Sequence, residues 1–162
     1  VIIKTVTQLR PLVISQLGAD PNRIIYDLAD IRRIKPLYLD RGHLNQVVFN
    51  LLHNAIKYAE DDPAQFTIQI KVEDRPKDYV LVFKDWGMGI HREYLDRVVE
   101  EGFRTPEALQ KTVTGYGLGL SISKRLMQQM GGYLRLVNPR KPTEFLVILP
   151  KFLAEAPNDY DG

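Results

Sequence analysis

The sequence reads VVFNLLHNAIKY from Val47 to Tyr58. Its apolar residues recur at helical spacing, but Asn50 and Asn54 stand among them, four residues apart. Asparagine suits a helix interior poorly, because its amide competes for the backbone's hydrogen bonds. By i, i+4, i+7, i+8 spacing, Asn50, Asn54, Lys57 and Tyr58 share one face, with Gln46 one turn earlier. Leu44, Val48, Leu51 and Ala55 are left to face a sheet. An asparagine oxygen is a hard neutral ligand suited to Mg²⁺, and a lysine one turn on could meet phosphate. The plainer alternative is a partly exposed helix whose asparagines satisfy neighbouring backbone groups. This helix alone leaves both open.

Upstream, Asp40 is placed to cap the helix, which is expected to run to about Tyr58. RIIYDLA (23–29) and KPLYLD (35–40) are β-rich and short, and predict two strands. IIKTVTQLRPLVISQL (2–17) has helical periodicity, with a kink or a shorter helix expected from Pro11 and a stop at Gly18 and Pro21. Downstream, FTIQIKVED (66–74) alternates apolar and polar residues as a one-sided strand does. RPKD (75–78) is a turn and YVLVFKD (79–85) a returning strand. After a weakly patterned stretch, 91–116, LGLSISKRLMQQM (118–130) is a helix ended by Gly131 and Gly132. YLRLVN and TEFLVILP pair around PRKP. This order is not a β-α-β alternation. It predicts an α+β fold: a two-layer α/β sandwich with a mixed, mostly antiparallel sheet and about three helices on one face. The domain is expected over 1–152, with a disordered tail at 153–162.

The chain has 162 residues, enough for one real core, and a net charge of +2, too small to argue for nucleic acid. It has no cysteine, so disulfides, thiolate zinc sites and a cysteine nucleophile are excluded. No apolar run approaches the roughly 18–20 residues that span a bilayer. The chain opens VIIKTVTQLR without Met, as a piece excised from a longer protein does.

Two further stretches carry chemistry. In VFKDWGMGI (82–90) a strand runs into Asp85, and aspartate is a poor strand residue that needs a partner. A carboxylate there can accept from an exocyclic amine, and Gly87 and Gly89 let a flat ligand approach the backbone. The alternative is an ordinary strand exit with a solvated aspartate. In TGYGLGLSISKRL (114–126), Gly115, Gly117 and Gly119 alternate before a helix begins, which makes an anion site from backbone N–H groups. This is neither the dinucleotide fingerprint nor the P-loop, and alone it would also suit a hinge. Between the two lies a loop long enough to be functional. Together the three stretches would hold a purine, a metal and a phosphate chain under a lid at about 91–116.

At this point the residues resemble the catalytic and ATP-binding domain of sensor histidine kinases, in the superfamily of gyrase, Hsp90 and mismatch-repair ATPases. LNQVVFNLLHNAIKYAE is similar to that family's N box, DWGMGI to its first glycine box, EGFRT to its F box and GYGLGLSISKRLMQQMGG to its second glycine box. The resemblance covers about residues 3–150. It implies a Bergerat-type fold and ATP and Mg²⁺ as cofactors. Asn54 would be the metal ligand, Asn50 its neighbour near metal and phosphate, and Lys57 a phosphate contact. Asp85 would accept the adenine amino proton beside Gly87, Gly89 and Ile90, and Tyr58 would lie near the adenine or the phosphates under the lid. Phe103 and Arg104 would belong to the lid, with Arg104 meeting the γ-phosphate. Gly115, Tyr116, Gly117, Leu118, Gly119 and Leu120 would wrap the triphosphate. Asn50, Asn54, Lys57 and Arg104 form the expected catalytic set.

The resemblance also implies a kinase in two-component signalling, on the cytoplasmic side, either membrane-anchored or soluble. Its receiving histidine would lie on an upstream dimerisation domain, because His43, His53 and His91 do not fit the family's phosphorylation motif. A response regulator would act downstream. The full-length protein would be a homodimer and this fragment a monomer, inactive or nearly so alone. There are two departures: the F box is poor in aromatics, and the family's G-x-G-[ST] turn in the last hairpin is replaced by NPRKPT. The rivals are an ATP hydrolase of the superfamily, an anti-sigma-type serine kinase, and a module that binds nucleotide without catalysis. The hydrolases carry a glutamate base where Asn50 stands, and a neutral amide cannot activate water.

Overall fold

A computed structural model of the chain describes residues 1–112 and 115–154. The expected tail therefore lies almost wholly outside the described residues. Five strands form one sheet in the order β1-β2-β3-β5-β4: β1 (Ile24–Tyr26), β2 (Ile68–Asp74), β3 (Asp78–Asp85), β4 (Tyr133–Pro139) and β5 (Thr143–Pro150). Among the described residues, β1 and β2 pair in parallel and the other pairs are antiparallel. The sheet is thus mixed and mostly antiparallel, as expected.

Alternation along the strands sorts the side chains into two layers. Ile68 and Ile70, then Tyr79, Leu81 and Phe83, then Phe145, Val147 and Leu149 join the main core. Val80, Val82, Leu146 and Ile148 form a smaller cluster on the opposite face. Helices supply the other half of the main core: α1 (Ile2–Leu12) through Val6 and Leu9, α3 (Arg41–Lys57) through Val47, Val48, Leu51, Leu52 and Ile56, and α5 (Gly119–Gln129) through Met127. α3 lies between α1 and α5. Three helices on one face is the expected architecture. Among the described residues, no helix is long and apolar enough to cross a membrane.

Two strand expectations are corrected, and the first helix is shorter, as Pro11 allowed. The helix at 2–17 is α-helical only to Leu12 and continues as a π turn over Val13–Leu17. Pro11 stands inside the α-helical part, one residue before its end, where its ring and missing N–H weaken the i→i−4 ladder. The strand at 23–29 shrinks to Ile24–Tyr26, because Asp27 accepts from the Ala29 N–H and caps α2 (Leu28–Arg32). KPLYLD is not a strand. Leu37 and Leu39 pack against the core while Tyr38 donates its N–H to the Leu153 carbonyl at 2.6 Å. The β-rich composition there serves burial without a partner strand, a case of context overriding propensity. Asp40 does cap α3, accepting from the His43 N–H at 2.8 Å.

Candidate functional site

The polar stripe of α3 faces a cavity of about 310 Å³ between α3, the ends of β3 and β5, and the segments 98–108 and 115–120. Asn50, Asn54, Lys57 and Tyr58 all line it. They are held there because Val47, Val48, Leu51, Leu52, Ala55 and Ile56 bury the opposite face of the helix. Lys57 closes the last turn, and its ammonium lies 5.4 Å from the centre of the Tyr58 ring and against the backbone of Gly115. His53 also lines the cavity, stacked on Phe49 with ring centres 5.4 Å apart. Burial, aided by the charge of Lys57, keeps its pKa below the usual imidazole value.

Asp85 forms the floor. Sheet register sets it directly between Ile68 of β2 and Thr143 of β5. Burial pushes its carboxyl up to about 6 from 3.8. The N–H of Gly87, donating at 3.1 Å, opposes that rise, and so does the Thr143 hydroxyl more weakly. Although near the carboxyl, Thr143 Oγ1 meets no partner at hydrogen-bonding geometry and is fully enclosed. The residue itself keeps some exposure through the cavity mouth, but its carboxyl is ringed by protein, and the ringing dominates. Phe83, Phe145, Leu52 and Ile68 make the surroundings apolar.

Gly87 does not line the cavity, contrary to expectation. A Cβ there would lie 2.5 Å from the Tyr58 carbonyl, so glycine is needed where the strand exit crosses the end of α3. The Met88 N–H then donates to that carbonyl at 3.0 Å, tying the two elements together. Gly89 and Ile90 do line the cavity.

The glycine loop and the segment 98–108, the expected lid, close the other side. Gly117 has φ +68, and a Cβ on it would stand 2.6 Å from the Phe103 carbonyl. The Gly102 N–H donates to the Gly117 carbonyl, so loop and lid are joined backbone to backbone. Phe103 lies under the Arg97 guanidinium at 4.2 Å and beside Tyr94. Arg104 lines the cavity, but its guanidinium donates to the carbonyls of Gly115 and Ala108, at 3.1 and 2.9 Å, and of Thr112. In this structure it staples α4 (Pro106–Lys111) to the glycine loop rather than offering itself to a phosphate. Leu118, Gly119 and Leu120 line the cavity; Tyr116 borders it but is 87% exposed. Thr114, which opens the glycine stretch, lies outside the described residues.

The sequence reading missed two residues. Thr143 had a signal, because the family pattern ends its hairpin turn on Ser or Thr, and Thr143 keeps that place although NPRKP replaces the glycines. The turn itself packs its Arg140 stem over Gly89. Ser123 had no signal: it is wholly buried and hydrogen-bonded to Asn50.

A desolvated acid at a strand end, an amide-bearing helix face and a glycine loop opening a helix define a two-layer nucleotide-binding domain. The chain belongs to the histidine kinase-, DNA gyrase B-, and HSP90-like ATPase family, whose model matches residues 39–152. Within it, the chain is an ATP-binding catalytic domain of the sensor histidine kinase kind. The sensor histidine kinase WalK of Bacillus subtilis (strain 168) is 31% identical over 94 residues, 58% of this chain and 15% of that protein. Sensor protein RprX of Bacteroides fragilis (strain YCH46) is 29% identical over 115 residues, 70% of this chain and 22% of that one. The chain thus spans less than a quarter of either. Among solved structures, the mycobacterial sensor histidine kinase MprB superposes with a TM-score of 0.66 at 23% identity, covering 91% of this chain and 94% of that one. Full-length ShkA in complex with AMPPNP gives 0.69 at 20% identity, covering 92% and 29%. These likenesses establish the fold.

Proposed function

We propose that this domain binds ATP with Mg²⁺ and transfers the γ-phosphate to a histidine on a dimerisation domain outside this chain, in a two-component pathway that ends on a response regulator. The observation that carries the reading is the pair Asp85 and Thr143. A buried carboxyl with a raised pKa and an enclosed hydroxyl without a partner sit side by side in an apolar slot. Buried polar groups are normally satisfied, and an adenine edge would give this pair its hydrogen bonds.

The residues also suit the metal. Among the described residues no cluster of three or more His, Asp or Glu is placed to hold an ion. That fits a cation that arrives with its nucleotide and takes few protein oxygens, as Mg²⁺ does. Asn54 would supply the protein oxygen, and the ion would neutralise phosphate charge. Asp85 accepts from the adenine amino group, and Lys57 meets the phosphates. The N–H groups at the start of α5 face the anion. Phosphoryl transfer needs positioning and charge stabilisation more than covalent help from the protein. Position 50 supplies no base, so water is a poor substitute for the histidine. This favours the kinase over the hydrolase.

The test is to supply residues 1–162 with labelled ATP. Mg²⁺-dependent binding, very slow hydrolysis and no stable self-labelling are expected. Adding a cognate histidine-bearing domain should give acid-labile, base-stable phosphate on that domain, with a strong dependence on concentration. Stable labelling of His43, His53 or His91, or rapid turnover by the fragment alone, contradicts the proposal.

A further inference from the structure

We infer that Ser123 is a positioning residue for the nucleotide site. Through Asn50 it fixes the start of α5 on α3, which leaves Asn54 as the asparagine that serves the ligand. The inference rests on the nucleotide reading above for its consequence, but its geometry does not.

Ser123 has no solvent exposure, one of three buried polar or charged side chains recorded among the described residues. Its hydroxyl donates to the Gly119 carbonyl at 2.7 Å and accepts from Asn50 Nδ2 at 3.0 Å. The same Nδ2 donates to the Gly119 carbonyl at 3.0 Å. A carbonyl only accepts, so the end of the Asn50 amide that faces it must be the NH₂ group. Both amide protons are then engaged. The oxygen turns back along α3, where it accepts from Gln46 Nε2 at 2.8 Å. Asn50 therefore clips α3 to α5, with Gln46 and Ser123 fixing its orientation from either side.

The clip acts where the site is most sensitive. Gly119 is both the last glycine of the loop and the first residue of α5. A Cβ on it would lie 3.8 Å from both Asn50 Cγ and Asn54 Nδ2, so the two helices meet closely there. The N–H groups of that first turn have no intrahelical acceptors and are the ones available to an anion. Their placement relative to Asn54 and Lys57 depends on how firmly Gly119 is held. The two asparagines of the helix thus do different work: Asn50 orders the loop, and Asn54 presents its carboxamide to the cavity.

The experiment compares wild type with Ser123→Ala, Asn50→Asp and Asn54→Ala. ATP affinity is measured by calorimetry with Mg²⁺ and with chelator, and hydrogen exchange is followed at Ile122 and Ser123 without nucleotide. Ser123→Ala removes one oxygen and suits a helix. It should weaken ATP roughly three- to tenfold with and without Mg²⁺ alike, the size of one buried hydrogen bond. It should also speed exchange at both amides. Asn50→Asp is the decisive variant. A carboxylate improves a metal ligand but cannot donate to the Gly119 carbonyl. Weaker ATP under both conditions, with the Mg²⁺ enhancement preserved, is expected. Asn54→Ala should instead erase the Mg²⁺ enhancement. Unchanged affinity and exchange in Ser123→Ala, or tighter Mg²⁺-dependent binding in Asn50→Asp, overturns the inference. If wild type binds no ATP, the nucleotide reading fails, and the exchange result alone decides whether the clip exists.

Discussion

Replacing Asp85 by Asn should stabilise the unliganded domain and disable it. The carboxyl is held at about 6 rather than 3.8, chiefly by burial. The difference, about 2.2, multiplied by about 1.4 kcal/mol per pKa unit gives ~3 kcal/mol. The sign follows from proton counting. Between pH 3.8 and about 6 the folded state binds the proton that the unfolded state has lost, so stability falls as pH rises through that window. Above pH 6 the whole cost is present; below 3.8 none of it is. Asn has the same shape and never ionises. Its oxygen can still accept from Gly87, and its NH₂ gives the unpartnered Thr143 hydroxyl a donor. Water entering through the cavity mouth offsets part of the carboxylate's cost, so a gain of about 1–3 kcal/mol is expected at pH 7.5. In a chain of this size that raises the melting temperature by roughly 2–12 °C. The gain should shrink as pH is lowered and nearly vanish at pH 4. ATP affinity should fall more than tenfold in the variant, because the acceptor for the adenine amino group is lost. In wild type, ATP affinity should weaken as pH drops below about 6. Melting curves at pH 7.5 and 4, with calorimetry for ATP, test all of this. A variant less stable than wild type at pH 7.5, or a difference that does not change with pH, would refute the reasoning.

GTP presents a carbonyl where ATP presents the amino group, so it should bind far more weakly than ATP; equal affinities by calorimetry would remove Asp85 from base recognition. Gly117→Ala adds a Cβ at positive φ and 2.6 Å from the Phe103 carbonyl. It should push loop from lid and cut ATP affinity at least tenfold while melting moves only a few degrees, and wild-type affinity would contradict the contact. Asp40→Ala removes the cap of α3 and should lower the melting temperature by a few degrees, read by thermal unfolding with the ATP affinity of the folded protein unchanged.

Much of this molecule was legible because its signals are local. The cap at Asp40, the alternation in β2 and β3, and the glycines after α5 each act within a few residues, and the structure keeps all three. KPLYLD misled because its leucines answer to the core and not to a partner strand, and pairing partners are not written in the segment itself. Asp85 could be singled out as an acid at a strand end. Its raised pKa could not, since that needs Ile68, Phe83 and Phe145 brought around it from three strands. Ser123 is invisible for a related reason. A serine in a helix reads as a solvated residue until the facing helix is known, and α3 and α5 are separated by the whole of β2, β3 and the lid.

Arg104 carries this difference between motif and geometry furthest. The resemblance assigns it to the γ-phosphate. The structure gives its guanidinium to three carbonyls, those of Ala108 and Thr112 in the lid and of Gly115 in the glycine loop. Arginine's donors are fixed in one planar fork, so they cannot serve these carbonyls and a phosphate in full at once. Lys111 adds a second tie, pairing with Asp61 just beyond α3. The lid is thereby held across the cavity by α4, whose start Thr105 caps by accepting from the Ala108 N–H at 3.1 Å. If a phosphate takes the donor that Gly115 now holds, the Gly115 carbonyl is released. Releasing it removes one tie on the loop that carries Gly117 and Gly119, which Gly102 still holds at Gly117 and Asn50 at Gly119. One exchange of partners would then couple phosphate binding to loop and lid together. It requires only that a charged phosphate be a stronger acceptor for the guanidinium than a neutral carbonyl, which it is.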